Sequence, residues 1–522
     1  MGSLGFWRLA QQDPEWIAAV DPDGTEYTAA ELLGRSNRLV HALRDLGLEK
    51  GDGLCGLVPN GVDSLVLYLA ALQAGWYYTP VNWHLTGPEI GYIVADSEAK
   101  AFFVHERHAA EGIRGADEAG LEAHRRISIG DVEGFRPYAE FVAGHLDSAP
   151  EDRSNGATMH YTSGTTGRPK GVKRRLAGID PDDAAELMTF LLSFFGCTPG
   201  APAGKGAEAH LITSPNYHTA VTQFGGSFLH LGHTVVYVDK WEAEDTLRLI
   251  EKYKISSTHM VPTHFKRMLS LPAETRAKYD VSSMKWAIHA AAPCPVPIKH
   301  QMIEWWGEGI WEYYAATEGG GTIASPKDWL AHPGTVGSRW PISELLIVDD
   351  DGNEVPTGTS GTIYMKMAGV EFEYKGDKAK TEKDRLRDHF TVGDIGYLTE
   401  DGFLFLSDRK ADMIISGGAN IYPAEIENEI ILFGKVADVA VFGIPNDEWG
   451  EEIKAVVEPA AGVAPGPGLS KEIFAFLEGR LAKMKWPRTI DYTEALPREP
   501  NGKLLKRKLR DEYWAGRASR LA

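Results

Sequence analysis

Apolar and polar positions along this chain follow two periods in turn, that of helices and that of strands, over most of its length. Between the β-branched run Thr234–Val238 and the apolar run ending at Val261, Leu247, Leu249, Ile250 and Ile255 punctuate a charged segment with helical spacing. Strand, helix and strand in that order predict a crossover unit, and hence an α/β fold whose mostly parallel sheets are covered by helices. The most apolar stretch, Ser64–Val81, contains Gln73, Gly75 and Pro80, so it predicts a buried helix turning into a strand and not a membrane span. After Pro333 the texture changes to short strands with tight turns: Leu345–Asp351 before Gly352, Gly361–Met367, and Tyr397–Phe405 around Asp401–Gly402. These predict hairpins and a small β-rich subdomain. A boundary is expected near Asp408–Asp412, and Gly462–Gly468 reads as a loop before a helix capped by Ser470.

Composition narrows the class. Of 522 residues, 43% are hydrophobic and 24% charged, which excludes whole-chain disorder and allows several domains. The 54 basic and 73 acidic residues leave a net charge of −19, which argues against general binding to nucleic acid or an anionic membrane. The excess is uneven, because residues 471–522 carry 13 basic against 7 acidic side chains. That basic tail suits either a polyanionic ligand or a solvated helix face. Three cysteines without a CxxC pair exclude a disulfide scaffold and a cysteine-rich zinc site, and suit a reducing compartment. The first residues hold one early base, Arg8, and no long apolar core, so no secretory signal is read there and a cytoplasmic location is expected.

The segment Tyr161-Thr-Ser-Gly-Thr-Thr-Gly-Arg-Pro-Lys170-Gly carries the most chemistry. Thr162, Ser163, Gly164, Thr165, Thr166 and Gly167 offer backbone N–H groups and hydroxyls able to wrap phosphate oxygens, and Lys170 adds a cation. The Walker pattern fails because Pro169 precedes Lys170 and Gly171 follows it, so a P-loop kinase is disfavoured. Further blocks follow: Tyr314-Ala-Ala-Thr317-Glu318, Gly393-Asp394-Ile-Gly-Tyr, Asp408-Arg409-Lys410, Gly417-Gly418-Ala-Asn-Ile-Tyr-Pro-Ala-Glu425, and Pro497-Arg-Glu-Pro-Asn-Gly502-Lys503. In this order, and over nearly the whole chain, they resemble the signature blocks of the adenylate-forming superfamily: acyl-CoA synthetases, luciferases and peptide-synthetase adenylation domains.

The resemblance implies a large N-terminal domain, residues 1–410, of parallel-sheet subdomains with a small β-barrel, and a mobile α+β C-terminal lid, residues 411–522. It implies ATP, Mg²⁺ and coenzyme A, a small carboxylic acid as substrate, no nucleic acid and no integral membrane segment, and it leaves room for a homodimer. Phosphate contacts fall to Thr162–Gly167 and Lys170, ribose to Asp394, ribose or phosphate to Arg409, and adenine to Ala291, Ala292 and Pro293, with Tyr314 a further nucleotide-binding position. Thr317 offers a hydroxyl to phosphate and Glu318 a hard oxygen to Mg²⁺, although read alone this pair would be an ordinary helix start. His218, in Ser-Pro-Asn-Tyr-His, borders the acyl carboxylate. Lys503 meets the negative charge that builds up at the α-phosphorus. His230 and His233 lack a metal-binding context and are read as non-ligands.

Two departures stand out. His289-Ala290-Ala291 replaces the family's usual glycines, and in Asp408-Arg409-Lys410-Ala411-Asp412 an alanine falls at the pivot. Gly319-Gly320-Gly321 suggests a roomy acyl tunnel, with Trp305, Trp306, Phe224 and Phe228 as lining or as plain core. The expected activity is acyl-CoA synthesis from a hydrophobic monocarboxylic acid, fatty or bulky cyclic, through acyl-AMP. The alternatives are loading of a carrier-protein thiol and a non-catalytic nucleotide-binding protein. The last would have lost Lys503, Glu318 or the glycine loop, and all are present.

Overall fold

The computed structural model describes residues 4–162, 169–200, 208–375, 378–409, 412–416, 419–446, 448–498 and 504–515. Its strands form four sheets of 15, 6, 5 and 3 strands. In the six-stranded sheet Gly53–Leu57 lies between Tyr77–Pro80 and Ala99–His105, with every pairing parallel. The apolar stretch read as helix, turn and strand takes that form. In the helix Val62–Ala74 every residue but Asp63 is buried, and Gly75, at φ 78°, closes it in the left-handed region before Tyr77–Pro80 begins.

The largest sheet changes character along its width. From Ile17–Val20 the order runs Thr234–Tyr237, Ala209–Ile212, Ser257–Met260, Trp286–His289 and Ile310–Ala315, all parallel. The helix Ala243–Tyr253 crosses over between two of these strands, burying Leu247, Leu249 and Ile250, and ends at Lys254 with φ 49°. Beyond Ile310–Ala315 the pairings turn antiparallel through Gly321–Ala324, Gly337–Arg339, Phe403–Arg409, Asp394–Leu398 and Gly361–Met367. These are the hairpins expected as a small barrel. Among the described residues they continue the parallel sheet edge to edge.

The five-stranded sheet draws only on strands from Ile414–Ser416 onward. It packs the helices Pro423–Ile430 and Pro467–Leu477 on a core of Ile426, Ile430, Val441, Ile473 and Leu477. Here one expectation fails. The helix Pro467–Leu477 starts at an N-cap Gly466, and Ser470 lies inside it, its Oγ 2.7 Å from the Tyr492 hydroxyl. Proline at the first helical position set the start, and the serine found a partner on a neighbouring strand. In the basic tail, Lys506 pairs with Glu427 at 2.9 Å and Arg507 with Asp511 at 3.1 Å. No helix among the described residues is long and apolar enough to cross a membrane.

The core also encloses an unusual number of imidazoles. Burial lowers His160, His230 and His264 to about 3, and His233 and His259 to about 4. An unfolded chain takes up these protons near pH 6.5, so the folded state is disfavoured as pH falls below that value. Each histidine costs about 1.4 kcal/mol per pH unit until its folded value is reached. Stability is therefore expected to be fully present above pH 6.5 and to collapse between pH 6.5 and 5. Urea midpoints read by tryptophan fluorescence would check this, and equal midpoints at pH 7 and pH 5 would contradict it.

Candidate active site

The ends of the glycine-rich segment are held by a hairpin. His160–Thr162 and Lys170–Arg174 pair antiparallel, with Thr162 opposite Lys170 and Tyr161 opposite Gly171. A Cβ on Gly171 would lie 3.0 Å from the Tyr161 ring, so a larger residue there would require the ring to shift. The Tyr161 hydroxyl donates to Asp96 at 2.6 Å and that of Tyr92 to the Pro169 carbonyl at 3.1 Å, tying the hairpin to the helix Gly87–Asp96. Ser163, Gly164, Thr165, Thr166 and Gly167 lie outside the described residues, as do Lys503 and Ala411; Thr162 and Arg409 are placed by their backbones alone. On either side of the Lys503 segment, Arg498 and Leu504 form an antiparallel bridge, and the Leu505 N–H donates to the Pro497 carbonyl at 2.8 Å.

A third strand, Phe372–Tyr374, extends the hairpin, with Tyr374 opposite Val172 and Phe372 opposite Arg174. From this small sheet two side chains reach the turn between Ile310–Ala315 and Gly321–Ala324. The Tyr374 hydroxyl donates to Glu318 Oε1 at 2.6 Å, and the Arg174 guanidinium donates to the Thr317 carbonyl at 2.5 Å. Glu318 is only 6% exposed. Thr317 Oγ1 lies 3.4 Å from Thr219 Oγ1, in the first turn of the helix Thr219–His230, and His218 directly precedes that helix with its ring 4.5 Å from Tyr217. Sequence reasoning singled out neither Arg174 nor Tyr374. For Arg174 a signal existed: Lys170, Val172 and Arg174 share one face of a strand by their spacing of two.

On the adjoining strand face, the Tyr314 hydroxyl donates to Asp394 Oδ2 at 2.7 Å, and Asp394 stands opposite Arg409 in the ladder. Ala291, Ala292 and Pro293 follow the strand Trp286–His289, whose last residue is level with Glu312. Ala291 has φ 74°, the left-handed region where a glycine costs least, and its side chain is exposed. Beneath this strap His289 is fully buried with neither ring nitrogen bonded, and its Nε2 is 3.6 Å from Glu312, which also accepts from buried Lys299 at 2.6 Å.

The reading of the glycine run as tunnel space does not hold. A Cβ on Gly320 would meet Met365 at 3.1 Å, and one on Gly321 the Tyr314 carbonyl at 2.3 Å. These glycines let the turn pack against its neighbours. The four aromatic residues also separate. Trp306 and Trp305 pack with Met302 in one core, whereas Phe228 and Phe224 belong to another, with Phe195, Trp311 and Tyr313. Phe224 lies 5.5 Å from Tyr313, whose hydroxyl shares a 3.0 Å hydrogen bond with His259.

Residues 6–374 match the family model for AMP-binding enzymes and residues 425–503 that for the AMP-binding enzyme C-terminal domain. The chain belongs to the AMP-binding enzyme family, the adenylate-forming superfamily of the sequence resemblance. It is similar to a feruloyl-CoA synthase from Amycolatopsis (31% identical over 98% of this chain and 99% of that one). It is also similar to ScoC of Streptomyces coeruleorubidus, a fatty acid–[acyl-carrier-protein] ligase (29%, 98% of this chain and 96% of that one). Among solved structures, ATP-bound MatB from Rhodopseudomonas palustris aligns with a TM-score of 0.80 at 28% identity, over 98% of this chain and 99% of that one.

The strap yields a direct test. Since the Ala291 side chain is exposed, substitution there changes backbone preference and little else. Ala291→Gly should be as stable as the parent or slightly more so, whereas β-branched Ala291→Val should lose about 1–3 kcal/mol and raise KM for ATP. Thermal denaturation with ATP titration checks both, and equal stability of the two variants would refute the left-handed strap.

Proposed function

We propose that this chain is an AMP-forming acid–thiol ligase that joins a hydrophobic monocarboxylic acid, fatty or bulky cyclic, to coenzyme A. The carboxylate attacks the α-phosphorus of ATP, forming acyl-AMP and releasing pyrophosphate. The thiol sulfur then attacks the acyl carbon, AMP leaves, and a thioester results. The observation that carries this reading is that Thr317 and Glu318 are held from the small sheet that flanks the glycine-rich segment, while Tyr314, on the strand leading into that turn, donates to Asp394.

In this reading the segment Thr162–Gly167 and Lys170 cradle the phosphates. Asp394, which accepts from Tyr314, meets the ribose hydroxyls, and Arg409 meets ribose or phosphate. Ala291, Ala292 and Pro293 border adenine, His218 borders the acyl carboxylate, and the Lys503 ammonium offsets charge gathering at the α-phosphate. Glu318 would hold Mg²⁺. Among the described residues no group of three His, Cys, Asp or Glu side chains could hold a metal, and a single buried carboxylate beside nucleotide phosphates suits an ion that takes few protein ligands. Bound there, Mg²⁺ supplies charge neutralisation to the phosphate oxygens.

A second reading, transfer to a carrier-protein thiol, is favoured by the 29% identity with ScoC. A pyrophosphate-release screen over fatty, aromatic and alicyclic acids, with and without coenzyme A, separates them. Turnover to an acyl-CoA is expected for apolar acids. Pyrophosphate release with acyl-AMP retained in the presence of coenzyme A would move the acceptor to a carrier protein.

Lys503→Ala should lower acyl-AMP formation by about 10²-fold or more. Thioester formation from supplied acyl-AMP should survive far better. Equal losses in the two half-reactions would remove the assigned role.

A further inference from the structure

The turn Thr317–Glu318 is held from two sides by residues that no signature block contains. Glu318 is buried, and a buried carboxylate must be paired or hydrogen-bonded at both oxygens to be tolerated. Tyr374 meets one of them, Oε1, at 2.6 Å. The phenol is itself fixed, because Tyr374 stands in register with Val172 and its N–H donates to Thr381 Oγ1 at 3.1 Å. From the other side the Arg174 guanidinium donates to the Thr317 carbonyl. Its cation also acts on Glu318, while its own carbonyl accepts from the Tyr77 hydroxyl at 2.7 Å.

Resting on the reading of Glu318 as the Mg²⁺ ligand, we propose that Tyr374 and Arg174 are positioning residues that hold the Thr317–Glu318 turn, so that Glu318 presents Oε2 to the metal–nucleotide complex. Tyr374 occupies Oε1 and so restrains rotation of the carboxylate. Arg174 pins the peptide that carries the Thr317 hydroxyl. Arg174 lies on the hairpin of the glycine-rich segment and Tyr374 on the strand paired with it, so phosphate cradle and metal ligand are held by one small sheet.

The test uses the full-length protein with α,β-methylene-ATP, titrated with Mn²⁺ and read as free Mn²⁺ by electron paramagnetic resonance. Tyr374→Phe removes only the hydroxyl and should weaken Mn²⁺ binding about tenfold, the usual scale for partners of a metal ligand. Arg174→Lys keeps the charge but loses the planar fork, and a similar loss is expected. Glu318→Gln is run beside them, and Tyr374→Phe added to Glu318→Gln should weaken binding no further. Wild-type affinity in Tyr374→Phe, with loss in Glu318→Gln, would overturn the positioning role alone. An additive double variant would also overturn it, since Tyr374 would then act independently of Glu318. Wild-type affinity in Arg174→Lys would remove Arg174 from the clamp. Wild-type affinity in Glu318→Gln would bring down the metal reading and this proposal together. Circular dichroism and thermal midpoints confirm that each variant is folded.

Discussion

The register of three short antiparallel strands governs the site. Thr162 faces Lys170, and Val172 faces Tyr374, so the hairpin bearing the glycine-rich segment and the tyrosine that holds Glu318 are parts of one sheet. Side chains alternate between faces along a strand, and a slip of one residue would turn Tyr374 and Arg174 away from the turn they hold. The register is fixed by neighbours on both sides. Val172 is buried in a core with Phe372, Tyr374 and Met365, and Gly171 admits the Tyr161 ring. The chemistry thus depends on apolar packing behind a sheet of three strands.

Much of this was legible in the sequence, and the reasons differ by element. The crossover unit around Ala243–Tyr253 and the buried helix Val62–Ala74 were readable because their periodicity is local and strong. The Tyr314–Asp394 contact was anticipated only as two separate blocks, 80 positions apart. Nothing local announces Tyr374, whose partner Glu318 lies 56 positions away and whose strand pairs with one near 172. The glycine run after Glu318 was misread for a similar reason. Glycine signals a lack of side-chain bulk, but only tertiary contact tells whether the space is open or filled, and here Met365 and the Tyr314 backbone fill it.

The strap at Ala291 shows how a departure from a family pattern can be accommodated. An alanine with φ 74° sits where glycine would relax the backbone, directly after a strand ending in buried His289. Below it, Lys299 and Glu312 form a 2.6 Å pair shielded from solvent. Burial opposes the charge on both members, lowering Lys299 and raising Glu312, and their contact offsets this. Such pairs seldom add net stability, yet breaking one leaves a buried charge exposed to the full desolvation cost. A pair of this kind tolerates few alternative packings, which favours one arrangement of the strand from which the strap emerges.

A comparable economy of anchoring appears at the C-terminal sheet. Lys266, on the helix Pro262–Leu269, donates to the carbonyls of Val436 and Ala437. The next residue, Asp438, takes both nitrogens of Arg498 at 2.5 and 2.7 Å, and Arg498 bridges to Leu504 across the segment that carries Lys503. A line of polar contacts therefore runs from the body of the molecule to the base of the Lys503 segment. A hydrogen bond from a charged group is worth about 1.5–3 kcal/mol, which thermal motion overcomes on a catalytic timescale. The Asp438–Arg498 pair is internal to the C-terminal part of the chain, whereas the Lys266 bonds link that part to the helix Pro262–Leu269. The Arg498 pair thus holds the base of the Lys503 segment from within the C-terminal sheet, and the Lys266 bonds tie that sheet to the body of the molecule.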